Sequence, residues 1–190
     1  MDDISLHILD IAENSISAGA KRLEIKIEED TNNDVLTIEI TDNGKGMDSK
    51  TLNGVTDPFV TTRTTRRVGL GIPMLKEAAE AANGGFFIES KPGKGTKVRV
   101  FFQYSNIDRK PIGNMSDTLI SIIMMSESEQ SQLTDENRTV CYYHKKNGRE
   151  FYFNTDEIKK QLGLNKLSSV LVLNELKKII ENKIKKLNYG

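Results

Sequence analysis

The chain has 190 residues, 37% apolar and 28% charged, with 27 Lys+Arg set against 27 Asp+Glu. That is the composition of an ordinary soluble globular protein, and its neutrality excludes a global field for nucleic acid or an anionic membrane. Apolar runs such as Ile122 to Met125 are too short for a bilayer, the acidic MDDISLHIL start is no signal peptide, and the lone Cys141 excludes a disulfide or cysteine-metal framework, so a reduced cytoplasmic protein is expected.

The first expected element is a helix from about Ile4 to Ser17. Ile4, Ile8, Leu9, Ile11, Ala12 and Ile16 recur at helical spacing, while His7, Asp10, Glu13, Asn14 and Ser17 gather on the other side. Gly19 is its stop signal. Leu23, Ile25 and Ile27 then alternate as a strand, EEDTNND makes a polar turn, and Leu36, Ile38 and Ile40 alternate as a second strand. That strand runs into DNGKGM, Asp42 to Met47, a glycine-rich turn. Residues 48–68 read as loop with short helical pieces at most.

GLGIPMLKEAAEAANGG, Gly69 to Gly85, reads as a helix with both ends marked, Pro73 in its first turn and Asn-Gly-Gly at its close. Phe86 to Glu89 and Thr96 to Phe102 read as strands joined by the KPGKG turn. This order predicts an α/β (α+β) two-layer sandwich over residues 1–104, with helices on one face. Residues 105–117 have the Pro- and Gly-containing look of a linker. A small α+β C-terminal unit over 118–190 is expected to follow. Within it Thr118 to Met125 reads as an apolar strand, SESEQSQLTDEN as a loop, and TVCYYHKKNGREFYFNT as a hairpin around Asn147-Gly148. Asn154 caps a short helix, with Glu157 placed as in a capping box. Val170, Leu173, Leu176, Ile180, Ile184 and Leu187 mark a final amphipathic helix.

Four separated motifs stand out: IAENSISAGA around Asn14, DNGKGM from Asp42, GLGIPML from Gly69 and GKGTKV from Gly93. In this order and spacing they resemble the GHKL superfamily, which includes gyrase, a heat-shock chaperone, histidine kinases and the MutL mismatch-repair proteins. The resemblance covers about residues 4–102 and implies that the fold holds ATP with Mg²⁺.

The chemistry of the residues agrees. A carboxylate at a strand end, Asp42, can accept a hydrogen bond from the exocyclic amine of adenine, where guanine offers a carbonyl. Gly44 and Gly46 let the backbone pass close to a purine. Asn14 offers a hard amide oxygen, and in the family such an asparagine holds the Mg²⁺ that bridges the phosphates. Gly69, Leu70 and Gly71 open a helix whose N–H groups make an anion site. Thr96 resembles the family threonine that supports adenine from the following strand. Thr62 and Arg63 lie in a lid, Thr61 to Arg67, whose hydroxyls and guanidinium groups suit phosphate. Asp10, four residues before Asn14, stands where gyrase-like ATPases and anti-sigma kinases carry a glutamate base, and Glu13 is the neighbouring acid that could take the role.

Other residues invite plainer readings. His144 is expected on a strand surface, Cys141 as a small core residue, and the lysines from Lys177 to Lys186 as the wet face of a helix. Three classes of family member compete: a histidine kinase, whose phosphoacceptor hairpin is expected to precede the Asn14 helix and is not read in this sequence; a MutL- or gyrase-type slow ATPase; and a stand-alone kinase or nucleotide-gated binding module like the anti-sigma kinases. The last is favoured, with a protein partner and no nucleic acid or membrane. A homodimer through Val170, Leu173, Leu176 and Ile180 is a further expectation, beside the alternative that this stripe covers the chain's own sheet.

Overall fold

Asp3 starts the first helix, α1 (Ile4–Ser17), by accepting the Leu6 amide at 3.1 Å, the usual work of an N-cap carboxylate. A computed structural model describes residues 3–55, 71–128 and 138–189. After α1 come strands β1 (Arg22–Asp30) and β2 (Val35–Asp42), the short helix α2 (Ser49–Gly54), α3 (Gly71–Ala81), and strands β3 (Gly85–Lys91) and β4 (Gly95–Gln103). The C-terminal half adds α4 (Met115–Ser126), the hairpin β5 (Thr139–Lys146) and β6 (Arg149–Asn154), then α5 (Thr155–Leu162) and α6 (Val170–Tyr189).

Among the described residues, six strands form one mixed sheet in the order β3-β4-β2-β1-β5-β6. Alternation puts Leu23, Ile25 and Ile27, Leu36, Ile38 and Ile40, and Val98, Val100 and Phe102 on one face, each almost fully buried. Fully burying such a side chain stabilises by about 1.5–3 kcal/mol. Helix α3 lies over β3 and β4, α1 touches β2, and α4 and α6 reach β5, so the helices form a second layer over that face. The opposite face is charged, with Glu39 between Lys26 at 4.0 Å and Lys97 at 2.8 Å.

Three expectations change. Residues 118–125 are not a strand but the body of α4. Leu119, Ile122 and Ile123 are buried at helical spacing, Asn114 caps the helix by accepting the Asp117 amide, and a run of isoleucines had imitated a strand. The first turn of α4 therefore lies inside the stretch read as linker. Secondly, His144 is not on the surface: it is 2% exposed and bonded to Glu29. Thirdly, of the stripe offered for a homodimer, Leu173, Leu176 and Ile180 are buried within the chain and only Val170 is exposed. The helix spends that face on its own domain. Cys141 is buried as expected, and burial pushes its thiol up, away from the reactive thiolate.

Strand β5 runs parallel to β1 in an eight-pair register from Arg22 with Thr139 to Glu29 with Lys146. The C-terminal hairpin thus covers an edge of the first unit's sheet and extends it, with α5 started by Asn154, which accepts from the Asp156 and Glu157 amides. No helix among the described residues is long and apolar enough to cross a membrane.

Candidate functional site

The helical period sends Ile8, Ile11 and Ala12 of α1 into the core and leaves Asp10 and Asn14 half-buried on another flank, one turn apart. The two touch: Asn14 Nδ2 donates to Asp10 Oδ2 at 3.3 Å. Glu13 is exposed on a neighbouring flank.

Helix α3 begins against the same flank. A Cβ built on Gly71 would lie 1.9 Å from Asp10 Oδ2, so only glycine lets this carboxylate rest over the first turn of α3. That turn contains no acid of its own. Asp10 is therefore an anion placed against the positive end of α3.

The other half of the site is the end of β2. Asp42 is 8% exposed, and both its oxygens are held: Oδ2 accepts from Ser15 Oγ at 2.8 Å and Oδ1 from the Gly44 amide at 2.8 Å. Thr96 pairs directly with Asp42 across β2 and β4, and Ser90 pairs with Thr96. The two hydroxyls lie 2.9 Å apart, while Ser90 Oγ also donates to the Gly95 carbonyl and accepts from the Met47 amide, each at 2.8 Å. Around this row the backbone is tight. A Cβ on Gly44 would crowd the Ala18 carbonyl at 3.0 Å, and one on Gly46 would strike the Lys91 carbonyl at 2.0 Å. The KPGKG turn locks on from beyond, the Gly93 amide donating to the Lys45 carbonyl at 2.7 Å.

Of the residues expected from sequence, the structure thus joins Asp10, Asn14 and Gly71 on one side and Asp42, Gly44, Gly46 and Thr96 on the other. Ser15, next to Asn14 but turned inward, bridges α1 to Asp42. Thr62, Arg63, Gly69 and Leu70 lie outside the described residues. Sequence reasoning passed over Ser15, Ser90 and Gly95. Ser15 carried a signal, being polar on the face of Ile8, Ile11 and Ala12. Gly95 carried one only within its motif: its φ is 84° and its missing Cβ would sit 1.9 Å from the Asp42 carbonyl. Among the described residues no three His, Cys, Asp or Glu side chains gather as a metal nest.

The family described as histidine kinase-, DNA gyrase B-, and HSP90-like ATPase matches residues 2–106. The sensor protein kinase FleS of Pseudomonas aeruginosa is 39% identical over 89 residues, 47% of this chain and 22% of that protein. The anti-sigma F factor of Clostridium botulinum is 35% identical over 104 residues, 53% of this chain and 68% of that protein. The chain thus spans only about a fifth of FleS, and about two thirds of the anti-sigma factor. Among solved structures, the N-terminal domain of a DNA repair protein shares the fold, with a TM-score of 0.54 at 15% identity over 82% of this chain and 53% of that one. With a match over more than half its length, this chain belongs to the histidine kinase-, DNA gyrase B-, and HSP90-like ATPase family.

Proposed function

We propose that the chain binds Mg-ATP between α1, the turn after β2 and the start of α3, and couples that binding to a protein partner, as a protein kinase or a nucleotide-gated binding module. The observation that carries the reading is the Asp42 carboxylate, buried and aimed by Ser15 and Gly44. A buried charge with two fixed donors keeps one orientation, and its remaining lone pairs suit the amine of adenine. Gly44 and Gly46 leave the backbone bare beside it, and Thr96 supports the same edge.

The donor set fits magnesium. Asn14 supplies a hard amide oxygen, and Mg²⁺ takes one or two protein ligands and completes its shell with water and phosphate. Bound there, the metal would neutralise phosphate charge. Asp10 would take the proton from an attacking hydroxyl or water as its oxygen bonds to the γ-phosphorus and the bond to the β-phosphate oxygen breaks, with ADP leaving. The regulatory half is supported by the likeness to the anti-sigma F factor, a protein named for acting on another protein, 68% of which this chain matches.

Asp42→Asn exchanges a charged hydrogen bond for a neutral one, worth roughly 1.5–3 kcal/mol. ATP affinity is expected to fall about tenfold to a hundredfold, and Ser15→Ala to weaken it less, by freeing the carboxylate to turn. Calorimetric titration checks both, and an unaltered affinity in Asp42→Asn removes the adenine assignment. Incubation with γ-labelled ATP and cell extract then separates the reactions. Label on a protein supports the kinase, released phosphate supports a slow gyrase-like switch, and unchanged ATP that still binds supports a pure nucleotide-gated module.

A further inference from the structure

Strand β6 ends the sheet, and among the described residues no strand lies beyond it. The hairpin turn decides which backbone groups face that outer edge. Asn147 and Gly148 both have positive φ, 47° and 87°, the geometry of a two-residue type I′ turn. Such a turn is closed by a hydrogen-bonded pair, here Lys146 with Arg149, and bonded and non-bonded pairs then alternate along the ladder. Arg149, Phe151 and Phe153 therefore turn their N–H and C=O groups toward β5. Glu150 and Tyr152 turn theirs outward, and among the described residues no other backbone bond engages them.

An unpaired strand edge invites another strand, and proteins usually blunt it. The far edge of this sheet is covered in part: α2 touches β3, and the Met47 amide donates to Ser90 Oγ at 2.8 Å. β6 has no such cover. Its sequence REFYFN holds no proline and no lysine, and its register with β5 runs without a bulge. Aromatic side chains flank the bare edge on both faces. Tyr152 is 50% exposed on the open face, and Phe151 is half-buried on the helix face, its ring 6.0 Å from that of Tyr142.

We propose that β6 pairs antiparallel with β6 of a second copy, about a two-fold axis at Phe151, and so joins two six-stranded sheets into one. A two-fold edge contact has to be self-complementary, and this strand is. About Phe151, Glu150 stands opposite Tyr152 of the second copy and Tyr152 opposite its Glu150, so each outward N–H and C=O of these residues finds a partner. Phe151 meets its own copy and buries the rest of its ring, and no like charges face each other. A register centred on Tyr152 would instead draw on Asn154, whose carbonyl already belongs to the first turn of α5. Each nucleotide site then lies away from the axis, with β1, β5 and β6 between Asp42 and the junction.

Sedimentation of the full chain over a range of concentrations tests this, with thermal melting to confirm that each variant folds. The parent is expected to pass from monomer to dimer as concentration rises. Tyr152→Glu sets an acid opposite Glu150 on both sides of the axis, whereas Tyr152→Lys sets an ammonium there. The Glu variant should dissociate about tenfold more readily than the Lys variant, which stays dimeric. Tyr152→Pro removes the outward N–H while leaving the ladder to β5 intact, and should be monomeric. ATP affinity should be the same in all of them, which separates this result from any failure of the nucleotide reading. A parent that is monomeric throughout overturns the proposal and leaves the edge to a strand of another protein. A dimer that survives both Tyr152→Glu and Tyr152→Pro is built elsewhere and overturns it as well, and equal losses in the Glu and Lys variants overturn the register.

Discussion

Asp10→Asn is expected to bind ATP within a few-fold of the parent and to lose whatever turnover the parent shows. The amide has the size of the carboxylate, and its oxygen can still accept from Asn14 Nδ2, now at 3.3 Å. It cannot take a proton. A carboxylate acting as base at an attacking oxygen contributes about 10²–10⁴-fold, so the rate should fall by that range. Aspartate is one methylene shorter than the glutamate of similar enzymes, which would leave it short of the attacking group on a helix facing open solvent. Here α3 comes to meet it: the bare Gly71 lets Oδ2 settle against the helix end where phosphate would be held. Glu13 is exposed on another flank, so Glu13→Gln should do much less. Single-turnover measurements with γ-labelled ATP decide between them. Parent-like turnover in Asp10→Asn removes the base assignment, and loss of turnover in Glu13→Gln alone transfers it.

The same geometry shows which parts of the molecule were legible in its sequence. Helix α1, the two-strand pairs and α3 follow from local periods and stop signals, because each carries one apolar face at the period of its own element. The site was legible as motifs, since the glycines that admit close approach and the acid at a strand end are both written locally. What was missed depends on partners distant along the chain. The α4 segment carries Ile120, Ile122 and Ile123, which suit a strand, and its packing against α1 and α6 tips it to helix. The parallel pairing of β1 with β5 joins Glu29 to Lys146 with no local sign of it. A clue did exist: Glu29 alternates in phase with Leu23, Ile25 and Ile27, and His144 in phase with Val140 and Tyr142. Two ionisable residues in phase with two core stripes are most economically buried together.

That buried pair supplies the largest expected effect on stability. Glu29 is 5% exposed and accepts from His144 Nε2 at 2.8 Å, Lys146 Nζ at 3.1 Å and Tyr104 Oη at 3.1 Å. Tyr142 Oη lies 2.9 Å from His144 Nδ1, fixing the ring, and the Arg109 guanidinium stands 4.8 Å over the Tyr104 ring. One carboxylate thus ties β1, β5 and the segment after β4 together. Glu29→Ala leaves His144 buried beside Lys146 with no anion, and losing one member of a buried pair costs about 3–5 kcal/mol. The lower end is expected, because the Lys146 side chain is 20% exposed and can turn partly to water. Glu29→Gln keeps an acceptor and should cost less. Burial by itself would raise the Glu29 carboxyl, but the hydrogen bonds from His144 and Lys146 outweigh it and hold the group below the usual carboxylate range. A depressed folded-state pKa gives stability that is complete above the unfolded value, near 4.3, and is lost as pH falls through the folded one. Urea unfolding of the parent and Glu29→Gln should therefore differ most at neutral pH and converge below about pH 4. A gap of constant size from neutral to acid pH would mean that the ionised carboxylate does not hold this junction.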